Sequence, residues 1–367
     1  MGDRFRGLAA AAAGACFALA GCGGGGTDPD TGAAQSAATN AAAFTTTPGP
    51  AGSSHEQPLQ TQAAPSRYAA DSGERAAFDA LNAERARCGF GLLSQHSALD
   101  LASSDSNDYW AQRLAEGFEA AASFRHVEDP GKSGFTGINP IDRVLYRGYM
   151  PAVDYLGQYY LSTESVVFAA QPRALPYPAS TIAAKLTRSL MTTVYHARDM
   201  FTGYADAGVS YASGVVAPNA DAAYRVVFEF EVPPGQKLQG RAGLRTYPCQ
   251  DTQTAVARFV PATESPNPAP DLGDAVIGTP IFVSSPAGTW LDVQSFELWS
   301  RASGASVPAR LISQAGDPQA ILRINEAFVL PLSPLRPGDR YEVRLQASVD
   351  GQVQSARFTF DARADAY

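Results

Sequence analysis

The chain has 367 residues, 17% of them charged, and a formal net charge of −8. That length accommodates two ordinary domains, each with a core of its own, and the apolar content is well above that of a disordered chain. An acidic balance without a basic stripe excludes binding to nucleic acid through its phosphates.

Residues 1–22 read as a signal segment outside the fold. Arg4 and Arg6 form a positive start, and Leu8 to Gly21 is an apolar and small-residue run too short to span a bilayer. The run ends in Leu19-Ala20-Gly21-Cys22, which resembles the lipobox of bacterial lipoprotein signal peptides. The resemblance implies cleavage before Cys22, a diacylglycerol on its thiol, and the membrane as a partner through that anchor. Residue 23 is Gly rather than Asp, so the inner-membrane retention signal of this class is missing. In a host with an outer membrane, that membrane is the expected anchor, and otherwise the cell surface. Residues 23–70 are dominated by Gly, Ala, Ser, Thr, Pro and Gln, with little to offset the entropy of ordering, which predicts a disordered tether. His55 within it reads as inert.

A first helix is expected over Glu74 to Arg87, with Asp71 and Glu74 as a capping box, Phe78, Leu81 and Arg85 on one face, and Gly89 past its end. Cys88 therefore stands at that end. A second helix runs from Ser97 to about Glu116, capped by Ser97 and Asp100 and ended by Gly117, with His96 as an exposed loop residue before it. The loop Asp129 to Gly134 follows Phe124-Arg125-His126, and Asn139-Pro140 opens a short third helix carrying Arg143. Residues 151–178 show no clear period. A fourth helix begins at Ser180 or Thr181 and places Ile182, Leu186, Leu190 and Val194 on one stripe. His196 is read at the end of that helix, where the period changes.

Asp206 to Ala212 reads as a short strand and Gly214 to Ala223 as a polar hairpin loop. In the next strand Tyr224, Val226, Phe228, Phe230 and Val232 alternate with Arg225, Glu229 and Glu231, the mark of a half-buried strand. Helices followed by antiparallel strands predict an α+β domain over 71–260. The four prolines of residues 261–270 predict a stiff linker. Beyond it, over 271–367, short strands at Thr279 to Val283, Leu291 to Leu298, Ala320 to Ile324, Tyr341 to Ala347 and Ser355 to Phe360 predict an all-β sandwich, with Asp350-Gly351 as a two-residue hairpin turn. Pro334 to Tyr341 resembles the strand entry of immunoglobulin-like domains, in their disulfide-free bacterial form.

Cys16 leaves with the signal and Cys22 is lipidated, so Cys88 and Cys249 remain. In an oxidising compartment they most simply form one disulfide tying the ends of the first domain, the other arrangement being two buried free thiols.

Leu81-Asn82-Ala83-Glu84-Arg85, Phe124 and His126, Asp142-Arg143, Arg147-Gly148-Tyr149, Tyr195-His196-Ala197-Arg198 and Ala207-Gly208-Val209 occur in an order that resembles the CAP superfamily of cysteine-rich secretory, antigen 5 and pathogenesis-related proteins. The resemblance covers roughly 74–235. It implies an α-β-α sandwich whose two histidines and two glutamates face a cleft, where some members bind a divalent metal such as zinc. His126 and His196 fall on the histidine positions and would be the metal ligands. Where the family writes Gly-Glu-Asn this chain has Gly157-Gln158-Tyr159, so Gln158 offers the cleft a neutral carbonyl in place of a carboxylate. Asp206 is one replacement acid. The resemblance thus implies a degenerate cleft of His126, His196 and Gln158 that binds a small or lipidic ligand, or an envelope protein, without catalysis. The alternative is a metal-assisted hydrolase of envelope polymer or peptide. No Gly-x-Ser-x-Gly elbow, paired-histidine zinc motif or phosphate loop accompanies the histidines.

Overall fold

The computed structural model describes residues 53–117, 120, 121, 124, 126–153, 163–171, 174–216 and 221–364. Cys22 and Gln158 lie outside them. The described residues contain both helices and sheets and fall in one compact unit. None of the described helices is long and apolar enough to cross a membrane.

The first body has three layers. Its central sheet runs β2 (Ser94–Gln95), β4 (Asp206–Val216), β5 (Asp221–Glu231), β3 (Thr163–Gln171), with β4 and β3 antiparallel to β5. Strand β3 lies wholly within the stretch whose sequence shows no period. Helices α1 (Gly73–Cys88) and α4 (Ala179–Met191) cover one face, where Phe78, Leu81, Ile182, Leu186 and Leu190 pack on Tyr224, Val226, Phe228 and Phe230. Helix α2 (Ser97–Glu116) covers the other face, joined by α3 (Pro140–Tyr146) through Leu99, Ala102 and Val144.

The caps depart in part from their sequence signals. Ser72, not Asp71, caps α1 by accepting from Arg75 N, while Gly89 takes the expected left-handed conformation at φ 72°. His96 itself caps α2, its Nδ1 accepting from Ala98 N, so it is half-buried rather than a free loop residue. Asn139 and Asp142 form the capping box of α3.

Two residues of the Leu-Asn-Ala-Glu-Arg stretch fasten backbone. Asn82 bonds both the carbonyl and the amide of Leu93. The fully buried guanidinium of Arg85 donates to the carbonyls of Phe90, Gly91, Met200, Thr202 and Tyr204, and burial pushes its pKa down to about 9. Gly208 on β4 meets the first turn of α2 directly. A Cβ there would lie 2.0 Å from the Leu99 carbonyl carbon and 2.2 Å from Asp100 N. Gly208→Ala is therefore expected to displace α2 and lower stability by about 1–3 kcal/mol in urea denaturation.

The second body is a sandwich of two four-stranded sheets. One runs β10 (Leu291–Ser300), β13 (Arg340–Val349), β14 (Gln352–Arg363), β8 (Thr252–Val256); the other runs β11 (Ala309–Ser313), β12 (Glu326–Pro331), β9 (Ile281–Ser284), β7 (Arg245–Tyr247). Asp350 and Gly351 both have positive φ, as a two-residue hairpin requires. The strand expected at Ala320 to Ile324 is not formed; β11 and β12 flank that stretch instead.

Three boundaries move. Strands β7 and β8 precede residue 261 yet complete the two sheets of the sandwich, so the first body does not extend to residue 260. The Pro-rich segment does not hold two bodies apart, because one apolar core runs across it, with Phe201 stacked on Tyr247 at 4.1 Å and Phe90 on Phe282 at 6.1 Å. The tether expectation fails from residue 53 on. There β1 (Glu56–Pro58) pairs in parallel with β6 (Leu238–Gly240), Glu56 Oε1 accepts from Arg245 at 3.1 Å, and Gln60 reaches Ser94 and Gln239. Composition could not reveal this, since these polar residues are ordered by hydrogen bonds to distant segments rather than by apolar burial.

Candidate functional site: a buried charge cluster beneath His126

Strand β5 carries a polar face as well as an apolar one. Arg225, Glu229 and Glu231, expected to point to solvent, are 1%, 0% and 0% exposed. The reason is α2, which lies over that face and offers small polar groups to it. Arg225 donates to Asn107 Oδ1 at 2.9 Å and Ser106 Oγ at 3.0 Å, and Asn107 in turn donates to Ser210 Oγ at 2.8 Å. Burial pushes the Arg225 pKa down to about 10, against the opposing pull of Glu164.

Glu229 lies directly across from Glu164 on β3 in the strand register. Like charges so placed repel, and the structure answers with Arg143 from α3. Its Nη2 is 2.7 Å from Glu164 Oε2 and 3.9 Å from Glu229 Oε1; its Nη1 is 3.5 Å from Glu128 Oε1 and donates to the His126 carbonyl at 3.1 Å. The side chains of Arg143, Glu128, Glu164 and Glu229 are all fully buried. Burial alone would raise the Glu164 pKa, but Arg143 and His126 outweigh it and hold Glu164 well below the usual carboxylate range. Burial, with the Glu164 charge opposite, pushes Glu229 far up instead. The pair is thus pushed apart, Glu164 toward the ionised form and Glu229 toward the protonated one, a division of roles imposed on two identical side chains. Neither Glu229 oxygen has a hydrogen-bond partner among the described residues.

His126 is where this cluster meets solvent. Its Nδ1 stands 2.8 Å from Glu164 Oε1, and its side chain is 30% exposed. With a hydrogen on Nδ1 directed at the carboxylate, the neutral ring presents Nε2 as an acceptor, an orientation suited to a ligand's hydroxyl. The next residue, Val127, is exposed, as is Ile138, whose carbonyl accepts from the backbone amide of Glu128 at 2.9 Å.

His196 sits elsewhere. The fourth helix stops at Met191, and a separate seven-residue helix, α5 (Tyr195–Phe201), holds His196 in its first turn rather than at a helix end. Its Nδ1 bonds Glu264 Oε1 at 2.9 Å, from the Pro-rich segment. Burial lowers the His196 pKa, but Glu264 outweighs burial and raises it above the ordinary value. Among the described residues His126 and His196 share no partner. No family model matches the chain, and no curated protein matches it.

The implied zinc can be tested against these residues. Each histidine already has a carboxylate of its own, and among the described residues no three His, Cys, Asp or Glu side chains stand together as a metal group. Asp206, the replacement acid, accepts instead from Tyr149 Oη at 3.0 Å, in contact with neither histidine. The described donor set therefore does not fit a metal shared by His126 and His196, and no chemistry is derived through one. Sequence reasoning missed Glu128, Glu164, Glu229 and Glu264. Only Glu229 left a signal, three charges on one parity of a strand otherwise rich in Val and Phe.

Proposed function

We propose that this chain is a lipid-anchored bacterial envelope protein whose CAP-like domain binds a small amphipathic or lipidic ligand without catalysis, followed by an immunoglobulin-like domain that acts as spacer or contact surface. The observation that carries this reading is the closed charge cluster. Arg143 answers Glu164, Glu229 and Glu128 within the protein, so among the described residues of this cluster the group that reaches solvent is His126, next in the chain to the exposed and apolar Val127. One hydrogen-bonding group in an apolar setting suits a ligand with a polar head on an apolar body. The order of the matched motifs and the three layers support the CAP assignment. The two facing sheets, with Tyr341 Oη accepting from Arg336 N at 2.8 Å near the strand entry, support the immunoglobulin-like one.

The Glu164–His126 pair favours one rival, a hydrolase in which His126 activates water. Protein purified from its native envelope separates the two. Mass spectrometry of an organic extract is expected to show a bound amphipathic compound at about one per chain, lost in His126→Ala, with no bound metal. One zinc per chain that both His126→Ala and His196→Ala remove would overturn the binding reading.

A further inference from the structure

Of residues 261–266, Pro261 and Glu264 are buried, and Glu264 is the one that brings a charged group to α5. Ala262, Thr263, Ser265 and Pro266 are exposed, whereas the carboxylate of Glu264 between them is fully buried. It takes four hydrogen bonds. Oε2 accepts from Val194 N at 2.8 Å; Oε1 accepts from Tyr195 N at 2.8 Å, from His196 N at 3.0 Å and from His196 Nδ1 at 2.9 Å. Backbone amides at a helix start have no partner within the helix, so Glu264 satisfies donors that otherwise require water or another acceptor. The same carboxylate covers the imidazole, whose side chain is 14% exposed against 30% for His126.

Pro261 and Pro266 bracket this contact, and Pro261 opens a single 3-10 turn, Pro261–Thr263, closed by the bond from Glu264 N to the Pro261 carbonyl. Fixed proline φ angles restrict the free segment, so little further entropy is lost when it lies down. Glu264 is the polar pin of this stiff segment, and Pro261 lies buried at its start. The remaining polar ties of α5, Tyr195 to Asp317 and Arg198 to Glu326, reach residues well beyond this strap and keep the sandwich docked when the pin is withdrawn.

We propose that residues 261–266 form an autoinhibitory strap, pinned by Glu264, that closes off His196 and must lift before any ligand reaches that imidazole. The inference rests on the reading of this domain as a ligand-binding one, and it gives His196 a role distinct from that of His126: a covered group released by displacement of the strap.

Acylation by diethyl pyrocarbonate, quantified for each of the four histidines by peptide mass spectrometry on the full-length protein, tests it. In the unaltered protein His126 is expected to react faster than His196. Glu264→Ala is expected to raise the His196 rate roughly tenfold or more, with His126 and His96 unchanged, and Glu264→Gln to raise it less, since one amide oxygen still accepts. An unchanged His196 rate in folded Glu264→Ala overturns the strap. So does a common rise at His196, His126 and His96, which would mark general loosening. Should Glu264→Ala fail to fold, Glu264→Gln decides by the same two criteria. The unaltered His126 rate, compared before and after organic extraction, tests the binding reading separately, since only a ligand at His126 changes it.

Discussion

Arg143→Gln is expected to destabilise the protein by about 3–5 kcal/mol, the cost of leaving a buried charge without its partner. Arg143 is the cation that approaches Glu164, Glu229 and Glu128 together, and its own pKa rises because those carboxylates outweigh the effect of burial. Without it, Glu164 faces Glu229 across the strands with only His126 and the more distant Arg225 in opposition. Glu229→Gln is expected to behave quite differently and to cost no stability at neutral pH, because the amide keeps the volume of the carboxyl and cannot ionise.

The pH dependence carries the sign. Glu229 titrates above its ordinary value of 4.5 in the folded chain, so the fold retains a proton that the unfolded chain releases. Its contribution is fully present below 4.5 and declines as pH rises toward the folded value. Relative to the parent, Glu229→Gln should therefore gain stability as pH rises above that ordinary value. Glu164 is the opposite case. Its depressed folded value gives a contribution present at neutral pH and lost only in acid. Urea denaturation of the parent and both variants at several pH values checks all of this. If Glu229→Gln costs as much as Arg143→Gln, Glu229 is ionised and the proton assignment is wrong.

Cys249→Ser is expected to cost about 3–5 kcal/mol and to lower the melting temperature, while far-ultraviolet circular dichroism remains that of the parent. The Cys88–Cys249 disulfide has a Cα separation of 5.5 Å and spans 161 residues, a long loop whose closure restricts the unfolded chain. Its position differs from expectation in an instructive way. Cys88 ends α1, but Cys249 lies in the turn between β7 and β8, one strand from each sheet of the sandwich. The bond joins the two bodies rather than the two ends of one. The fold survives its loss because the shared apolar core through Phe201, Tyr247, Phe90 and Phe282 remains. Calorimetry of the oxidised parent and the variant measures the effect, and two titratable thiols in protein purified from its host would show the bond is not made in the cell.

Of the candidate site, the sequence singles out His126, while Arg143 stands there as a residue of the short third helix and its meeting with Glu128, Glu164 and Glu229 is set by the fold. The position of His196 was legible too, but its surroundings were not. Leu190 and Val194 continue the stripe of α4, so the break at Thr192 to Val194 that starts a new helix left no mark in the periodicity. Glu264 was hidden for another reason. Four prolines describe a stiff segment, and stiffness says nothing of which residue in it turns inward.

By itself the sequence determined the elements whose causes lie within a turn or a strand. The Gly89 terminator, the Asn139-Pro140 start, the stripe of α4, the alternation of β5 and the Asp350-Gly351 turn are each settled by neighbours a few residues away. Tertiary structure decided what covers each face. Alternation along β5 shows that its two faces differ, yet whether Arg225, Glu229 and Glu231 meet water depends on α2 lying across them, with Asn107 and Ser106 turned inward. Likewise Glu164 and Glu229 become one coupled pair only because antiparallel pairing sets them opposite each other. The electrostatics of this site arise from contacts between residues far apart in the chain, and the energy of a buried charge depends on those contacts more than on the residue that carries it.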